Sequence, residues 1–456
     1  MQQVQQVERD EPQQQQQTQT QPRPRSQAPA EPAERRLLIP EVNTDGFEVE
    51  DPTFDPVPGA RVDYGVIDGA GYRIELPEAW NGELLLWAHG FRGLNEAGDG
   101  YSPQLTFDEL PRREEIIGLG YGWATSTYRA NGYVPGLGVD DLLKVKDRVT
   151  EIARRPSRSY CVGGSMGGAT AQLMAQEFPR EINAALSYCG ALGNIAVVDY
   201  IAAWHLLAHW FIGEPPQQVD ARGVLEWSAP LGLREGGELT LSPLGEQFAA
   251  VIEQFSGGPR WGSRDGLAMQ WNIAFALGAT LWPQLLASAD LVPGQTIAID
   301  PNELPVDTSG HRYEATGATE LGLDLDRLNA EVVRLQADPS RRADPGVGLS
   351  TGELRVPLLA LKTTGDLFTP IHLERDYQRQ VQSAGFGDKL VVQAIRRAGH
   401  CNFSEPETLS ALTAIVTWLS FGLAPAGDDL SGDLTQVGTR FTNPFDPDDP
   451  EAPTGT

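Results

Sequence analysis

A serine, an aspartate and a histidine in this chain have the types, order and surroundings needed for acyl transfer. Ser165 stands in Gly163-Gly164-Ser165-Met166-Gly167-Gly168, directly after the β-prone Tyr160-Cys161-Val162. A serine hydroxyl is a weak nucleophile unless it is held exposed beside a base, and a sharp strand-to-helix bend presents it that way. Such a bend crowds the backbone, so its neighbours must be small, as Gly163, Gly167 and Gly168 are. A helix starting after Ser165 points free N–H groups at the reacting oxygen, and the Met166 amide is one expected oxyanion donor.

A tetrahedral oxyanion needs a second preorganised donor. The apolar run Glu83-Leu84-Leu85-Leu86-Trp87-Ala88 reads as a buried strand and ends in His89-Gly90-Phe91-Arg92-Gly93. The Phe91 amide, after the His-Gly pair, is the expected second donor. Downstream, Val356 to Lys362 reads as a strand leading to Thr363-Thr364-Gly365-Asp366. A carboxylate at that strand end can reach an imidazole and fix its tautomer. Thr369 is the expected N-cap of the next helix, with Pro370 at its first position. Lys389 to Ile395 reads as a further strand, and His400 follows in the loop before a helix. Ser404 and Glu407 form a capping box there, with Pro406 in the first turn.

Strand and helix signals alternate around these residues. Arg61–Ile67 and Tyr72–Leu76 read as an opening strand pair, and Tyr121–Ser126 and Ile182–Tyr188 as further strands. Helices are expected over about Asp140–Arg154, Gly168–Phe178, Pro370–Ser383 and Glu405–Phe421. From about residue 193 to 352 the alternation breaks. This stretch is too long for a loop and is helical in pattern, as in Ile201–Trp210 and Leu267–Leu286. It enters after the sixth core strand and holds Trp204, Trp210, Trp227, Trp261, Trp271 and Trp282. These tryptophans read first as the insertion's own core, with Trp204 and Trp210 as the candidates for a substrate cleft.

Taken together, residues 60–192 and 353–423 resemble the α/β-hydrolase superfamily, with the chain order Ser, Asp, His that distinguishes it from chymotrypsin- and subtilisin-like enzymes. The resemblance implies an α/β fold with a mostly parallel central sheet, helices on both faces and a large helical cap insertion. It implies Ser165 as nucleophile, Asp366 as acid, His400 as base, and Phe91 and Met166 as backbone oxyanion donors. The implied activity is hydrolysis of carboxylic esters through an acyl-enzyme. A peptidase of the prolyl-oligopeptidase kind shares this core and is the alternative; a non-catalytic binding protein on the same fold would need a broken triad. The His400-Cys401 pair resembles tannases and feruloyl esterases, in which a cysteine just before the nucleophile is bridged to the cysteine after the histidine. Here Gly164 precedes Ser165, so that bridge cannot form in the same way.

The resulting organisation is a Gln/Pro-rich leader over 1–36, expected to be disordered, core over 37–192, cap over 193–352, core over 353–423, and an acidic tail over 424–456, expected to be disordered. The 456 residues carry 62 acidic and 35 basic side chains, a net charge of −27. Such a surface repels phosphates, so nucleic acid is not an expected partner. The expected partner is a small-molecule or polymeric ester, and no apolar run reaches bilayer length. Leaders of this composition often follow a removed export signal, which makes the expected compartment extracytoplasmic. Cys161, Cys189 and Cys401 are too few for a disulfide scaffold or zinc site, and Cys161 and Cys189 read as buried hydrophobes. His205 and His209 lie i, i+4 without an H-E-x-x-H pattern, so neither metal nor cofactor is expected. His311 and His372 have no identifiable partner. Arg92 could meet an anionic substrate group, although a surface ion pair is the simpler role.

Overall fold

Period-two alternation along the central strands sorts their apolar residues onto two faces, and helices cover both. The computed structural model describes residues 55–92, 108–214, 224–235, 238–272, 274–275, 306–337, 339–342 and 346–443. Its strands in chain order are β1 (Ala60–Ile67), β2 (Ala70–Pro77), β3 (Glu83–Ala88), β4 (Gly122–Ser126), β5 (Arg158–Gly164), β6 (Ala184–Tyr188), β7 (Gly232–Glu235), β8 (Glu238–Leu241), β9 (Leu358–Gly365) and β10 (Leu390–Ala398). Eight of them form one sheet in the order β1-β2-β4-β3-β5-β6-β9-β10. The β1–β2 and β2–β4 pairs are antiparallel, and all others in this sheet are parallel. The fold is α/β with a mostly parallel central sheet, as expected.

Helices α1 (Arg113–Gly118), α2 (Pro135–Ile152) and α3 (Met166–Glu177) belong to the first part of the core. Leu84 and Leu86 of β3 face the same apolar cluster as α2 and α3, while Leu85 and Trp87 face the cluster that holds Ile116 and Ile117 of α1. Helix α2 begins five residues earlier than its apolar stripe suggests, because Pro135 is pre-set for the first helical position.

Between β6 and β9 the chain leaves the sheet. This insertion carries α4 (Ala196–Ile212), α5 (Val224–Ser228), the antiparallel β7–β8 hairpin, α6 (Pro243–Phe255), α7 (residues 263–272), α8 (Leu325–Glu331) and α9 (Pro339–Arg342). The core then resumes with β9, α10 (Ile371–Ser383), β10 and α11 (Glu405–Phe421). The α11 start shows the expected capping box between Ser404 and Glu407. Pro370 rather than Thr369 is the N-cap of α10, since the Thr369 hydroxyl is engaged elsewhere.

The expectation of a free tail from residue 424 fails for its first part. Residues 424–443 pack against β10, burying Leu430, Leu434 and Val437. β10 is the last strand of the sheet and leaves backbone groups unpaired along its outer side. The Asp428 N–H donates to the Val392 carbonyl at 2.7 Å, the Asp428 carboxylate accepts the Ala394 N–H at 2.8 Å, and the Thr442 hydroxyl accepts the Arg396 N–H at 2.8 Å. The polar composition that reads as a tail thus supplies partners for an edge strand. The leader over 1–36 and residues 444–456 lie outside the described residues.

Candidate active site

The carboxyl ends of β3, β5, β6, β9 and β10 converge, and each delivers one part of the site. Ser165 follows β5 and precedes α3, with φ 55° and ψ −121°. A non-glycine residue holds so sparsely populated a conformation only where its surroundings force it. The forcing is visible: the Ser165 N–H donates to the Tyr188 carbonyl and its carbonyl accepts from Ala191, both at 3.0 Å. A Cβ on Gly163 would collide with the Gly167 backbone, and one on Gly167 with the Ala88 carbonyl. A larger residue at Gly167 would push the start of α3 off β3, and one at Gly163 would push it off β5. Met166 is the first residue of α3, so its N–H has no acceptor within the helix.

His89 sets the other expected donor. Its Nδ1 lies 2.7 Å from the Gly90 carbonyl, and because a carbonyl only accepts, Nδ1 carries the proton. The Gly90 carbonyl and the Phe91 N–H belong to one trans peptide and point in opposite directions. Holding the carbonyl at His89 therefore turns the Phe91 N–H the other way. That N–H has no acceptor among the described residues. A Cβ on Gly90 would stand 3.4 Å from the Ser165 Cβ, so the turned peptide runs close against the serine. The His89 ring stacks on Tyr128 at 3.8 Å, and burial, with Arg92 nearby, lowers its pKa to about 4 and keeps it neutral.

Asp366 and His400 meet as the strand order predicts. His400 Nδ1 lies 2.7 Å from Asp366 Oδ2. The other carboxylate oxygen accepts the Phe368 and Thr369 N–H groups at 2.8 and 3.2 Å. Burial alone would raise this carboxyl's pKa. His400 and the Lys362 ammonium outweigh burial, with hydrogen bonds from His400 and Thr369, and hold it well below the usual range. Asp376, on α10, is exposed and pairs with Arg379 at 3.3 Å.

Lys362 is a residue that the sequence reading missed. Its ammonium is fully buried, 3.2 Å from Asp366 Oδ2, 3.2 Å from Glu374 Oε1 and 2.6 Å from the Thr369 hydroxyl. Burial raises the Glu374 pKa to about 8, with Lys362 opposing and Asp366 adding to the shift. The signal was present: Lys362 interrupts the apolar run of a central parallel strand, where a charge persists only if paired.

Cys189 and Cys401 form a disulfide with Cα atoms 5.1 Å apart. This corrects the reading of Cys189 as an inert buried thiol; Cys161 remains a free, buried one. The bridge ties the residue after His400 to the end of β6, next to the Tyr188 carbonyl that holds the serine turn. Cys189, His400 and Cys401 also come close enough to suggest metal ligands, but both sulfurs are already bonded to each other. Reducing the bridge, or replacing Cys401 by Ser, is expected to lower kcat by at least about tenfold with a smaller change in KM, because a displaced imidazole loses near-attack geometry. Steady-state ester hydrolysis with and without dithiothreitol checks this; unchanged kcat after complete thiol titration would refute it.

Ser165, Phe91, Met166 and His400 all line one cavity of about 590 Å³. Its further walls are Trp87, Tyr133, Tyr188, Phe368 and Phe403 from the core, and Val197, Val198 and Ile201 from α4. Trp204 and Trp210 do not line it. Trp204 is buried in the insertion's own core against Phe248 and Phe275, and Trp210 lies under the Arg327 guanidinium. Trp282 lies outside the described residues. Arg92 is off the cavity wall and pairs with Asp108 at 3.3 Å. His205 and His209 do share a helix face, with rings 4.9 Å apart packed around Trp227. His311 and His372 both pack on Phe255.

No family model matches the chain. It is similar to an o-phthalyl amidase from Xanthobacter agilis, at 23% identity over 440 aligned residues covering 82% of this chain and 91% of the amidase. Among solved structures, feruloyl esterase B from Aspergillus oryzae matches 78% of this chain and 79% of its own, at 13% identity and a TM-score of 0.39. Est1E from Butyrivibrio proteoclasticus matches 79% of this chain and 99% of its own, at 13% identity and a TM-score of 0.35.

Proposed function

We propose that the chain is a serine hydrolase that cleaves carboxylic esters through an acyl-enzyme. One observation carries the reading: Ser165, on its strained turn, lines the same cavity as His400, whose Nδ1 is held by the buried Asp366 carboxylate. With Nδ1 committed to Asp366, Nε2 is the nitrogen left to act as base. His400 takes the proton as Ser165 Oγ attacks the ester carbonyl. Asp366 holds the tautomer and stabilises the imidazolium. The Phe91 and Met166 amides receive the oxyanion. The intermediate collapses as His400 protonates the leaving alcohol. Water, activated by the same imidazole, then hydrolyses the acyl-serine.

The insertion over 193–352 acts as a cap, contributing the α4 wall of the cavity while the core supplies the reacting groups. The Cys189–Cys401 bridge supports an oxidising, extracytoplasmic compartment. No helix among the described residues is long and apolar enough to cross a membrane.

The likeness to an amidase supports amide cleavage as a second reading. It demands protonation of a poorer leaving group by the same His400. Parallel assays with p-nitrophenyl acyl esters and the matching acyl p-nitroanilides separate the two readings. Stoichiometric labelling by a small fluorophosphonate, mapped by mass spectrometry to Ser165, tests what they share. An unlabelled Ser165 would exclude both.

A further inference from the structure

We infer that the cavity admits only uncharged, apolar or aromatic acyl and alkoxy groups, and that it rejects substrates carrying a carboxylate. The inference rests on the hydrolase reading and names the substrate class of that same site. Its basis is an inventory of the wall. Apart from His400, no lining residue among the described residues has an acidic or basic side chain: the wall is Trp, Phe, Tyr, Val, Ile, Ala, Pro, Met, Gly, Ser, Thr and the half-cystine Cys401.

The wall's hydroxyls are also engaged. The Tyr133 hydroxyl donates to Asn194 at 3.0 Å, and that of Tyr188 to the Thr408 carbonyl at 2.9 Å. The Thr408 hydroxyl donates to the Ser404 carbonyl at 3.1 Å. The Thr369 hydroxyl accepts from Lys362 and lies 2.8 Å from both the Cys189 carbonyl and Asp366. The Trp87 indole N–H lacks a partner among the described residues, but its nitrogen is buried rather than exposed at the wall. What remains for a substrate among the described residues is Ser165, His400 and the Phe91 and Met166 amides, the groups that the reaction itself uses.

A substrate carboxylate entering this cavity would lose water and gain no counter-charge, which is among the most costly transfers in protein chemistry. An alkyl or aryl group of equal size would instead bury its surface favourably.

The test compares p-nitrophenyl p-isopropylbenzoate with p-nitrophenyl p-carboxybenzoate, esters of similar shape and the same leaving group. Active sites are first counted with a small neutral fluorophosphonate. We expect kcat/KM for the carboxylate ester to be lower by at least roughly 100-fold. The gap should persist in molar salt, which screens the chain's long-range negative field but not a desolvated wall. Ile201→Lys places an ammonium on the α4 wall and should raise kcat/KM for the carboxylate ester at least tenfold while lowering it for the neutral one. If Ser165 is labelled and the two esters react within about threefold, or if the gap vanishes in salt, the substrate-class inference is overturned and the hydrolase reading stands. If Ser165 is not labelled, both fall.

Discussion

Replacing Ser165 by alanine is expected to lower kcat on any ester by on the order of a million-fold, with the fold retained. The size follows from removing the atom that forms the covalent intermediate, since His400 and the oxyanion amides then have only water to activate. Retention of the fold follows from the turn. The hydrogen bonds that force φ to 55° use the backbone of residue 165, so an alanine side chain leaves them in place. The same strain gives a second observable. Ser165→Gly should be equally inactive but more stable than Ser165→Ala, because glycine adopts positive φ without penalty, a difference on the order of 1 kcal/mol. Activity within about tenfold of the parent protein in a purified, folded Ser165→Ala variant would remove Ser165 from the chemistry. Identical melting temperatures for the two variants would remove the strain from the argument.

Asp366→Asn is expected to lower kcat by about ten-thousand-fold. An asparagine can still accept the Phe368 and Thr369 N–H groups, so the loop keeps its shape. What it cannot do is stabilise an imidazolium, and its NH2 group favours the wrong His400 tautomer. The neutralisation also removes one of the two carboxyls around Lys362. Glu374 remains 3.2 Å from that ammonium, and with the Asp366 charge gone its carboxyl ionises more readily than at its present value of about 8. The buried lysine therefore keeps one carboxyl partner within 3.2 Å, and the variant should fold with a lower melting temperature. The control is Asp376→Asn, whose exposed carboxylate faces Arg379 and should leave kcat unchanged. Near-full activity in Asp366→Asn, with loss in Asp376→Asn, would reverse the assignment.

Both predictions concern residues legible in the sequence, and the reason is local. The serine turn, the His-Gly pair and the ends of β9 and β10 each declare themselves within about ten residues, through a strand pattern followed by small or capping residues. What the sequence concealed depends on which strands become neighbours. Cys189 and Cys401 are 212 residues apart and meet because β6, β9 and β10 lie side by side. Lys362 gains its role from Glu374, which reaches it only once α10 folds back on β9. Trp204 and Trp210 read first as core, with a substrate cleft as their alternative place, and it is Val197, Val198 and Ile201 of the same helix α4 that line the cavity. Composition identified an aromatic insertion but could not say which stripe of a helix apolar on nearly every side looks inward. Residues 424–443 misled for the opposite reason: their glycines and aspartates suit solvent equally well as an unpaired strand edge.

The disulfide has a consequence for the integrity of the chain itself. Its two cysteines bracket the whole insertion together with β9, α10 and β10, so the covalent ring encloses nearly half of the protein. A single peptide-bond cut anywhere between residues 190 and 400 opens the ring without releasing a fragment. The nicked molecule stays one species until it is reduced, and the strands on either side of the cut stay within reach of each other. By chain-entropy reasoning, tethering residues so far apart also destabilises the unfolded ensemble by about 5 kcal/mol. A cut in the insertion, which would leave two separable chains in an unbridged protein of this fold, here leaves two chains still joined covalently.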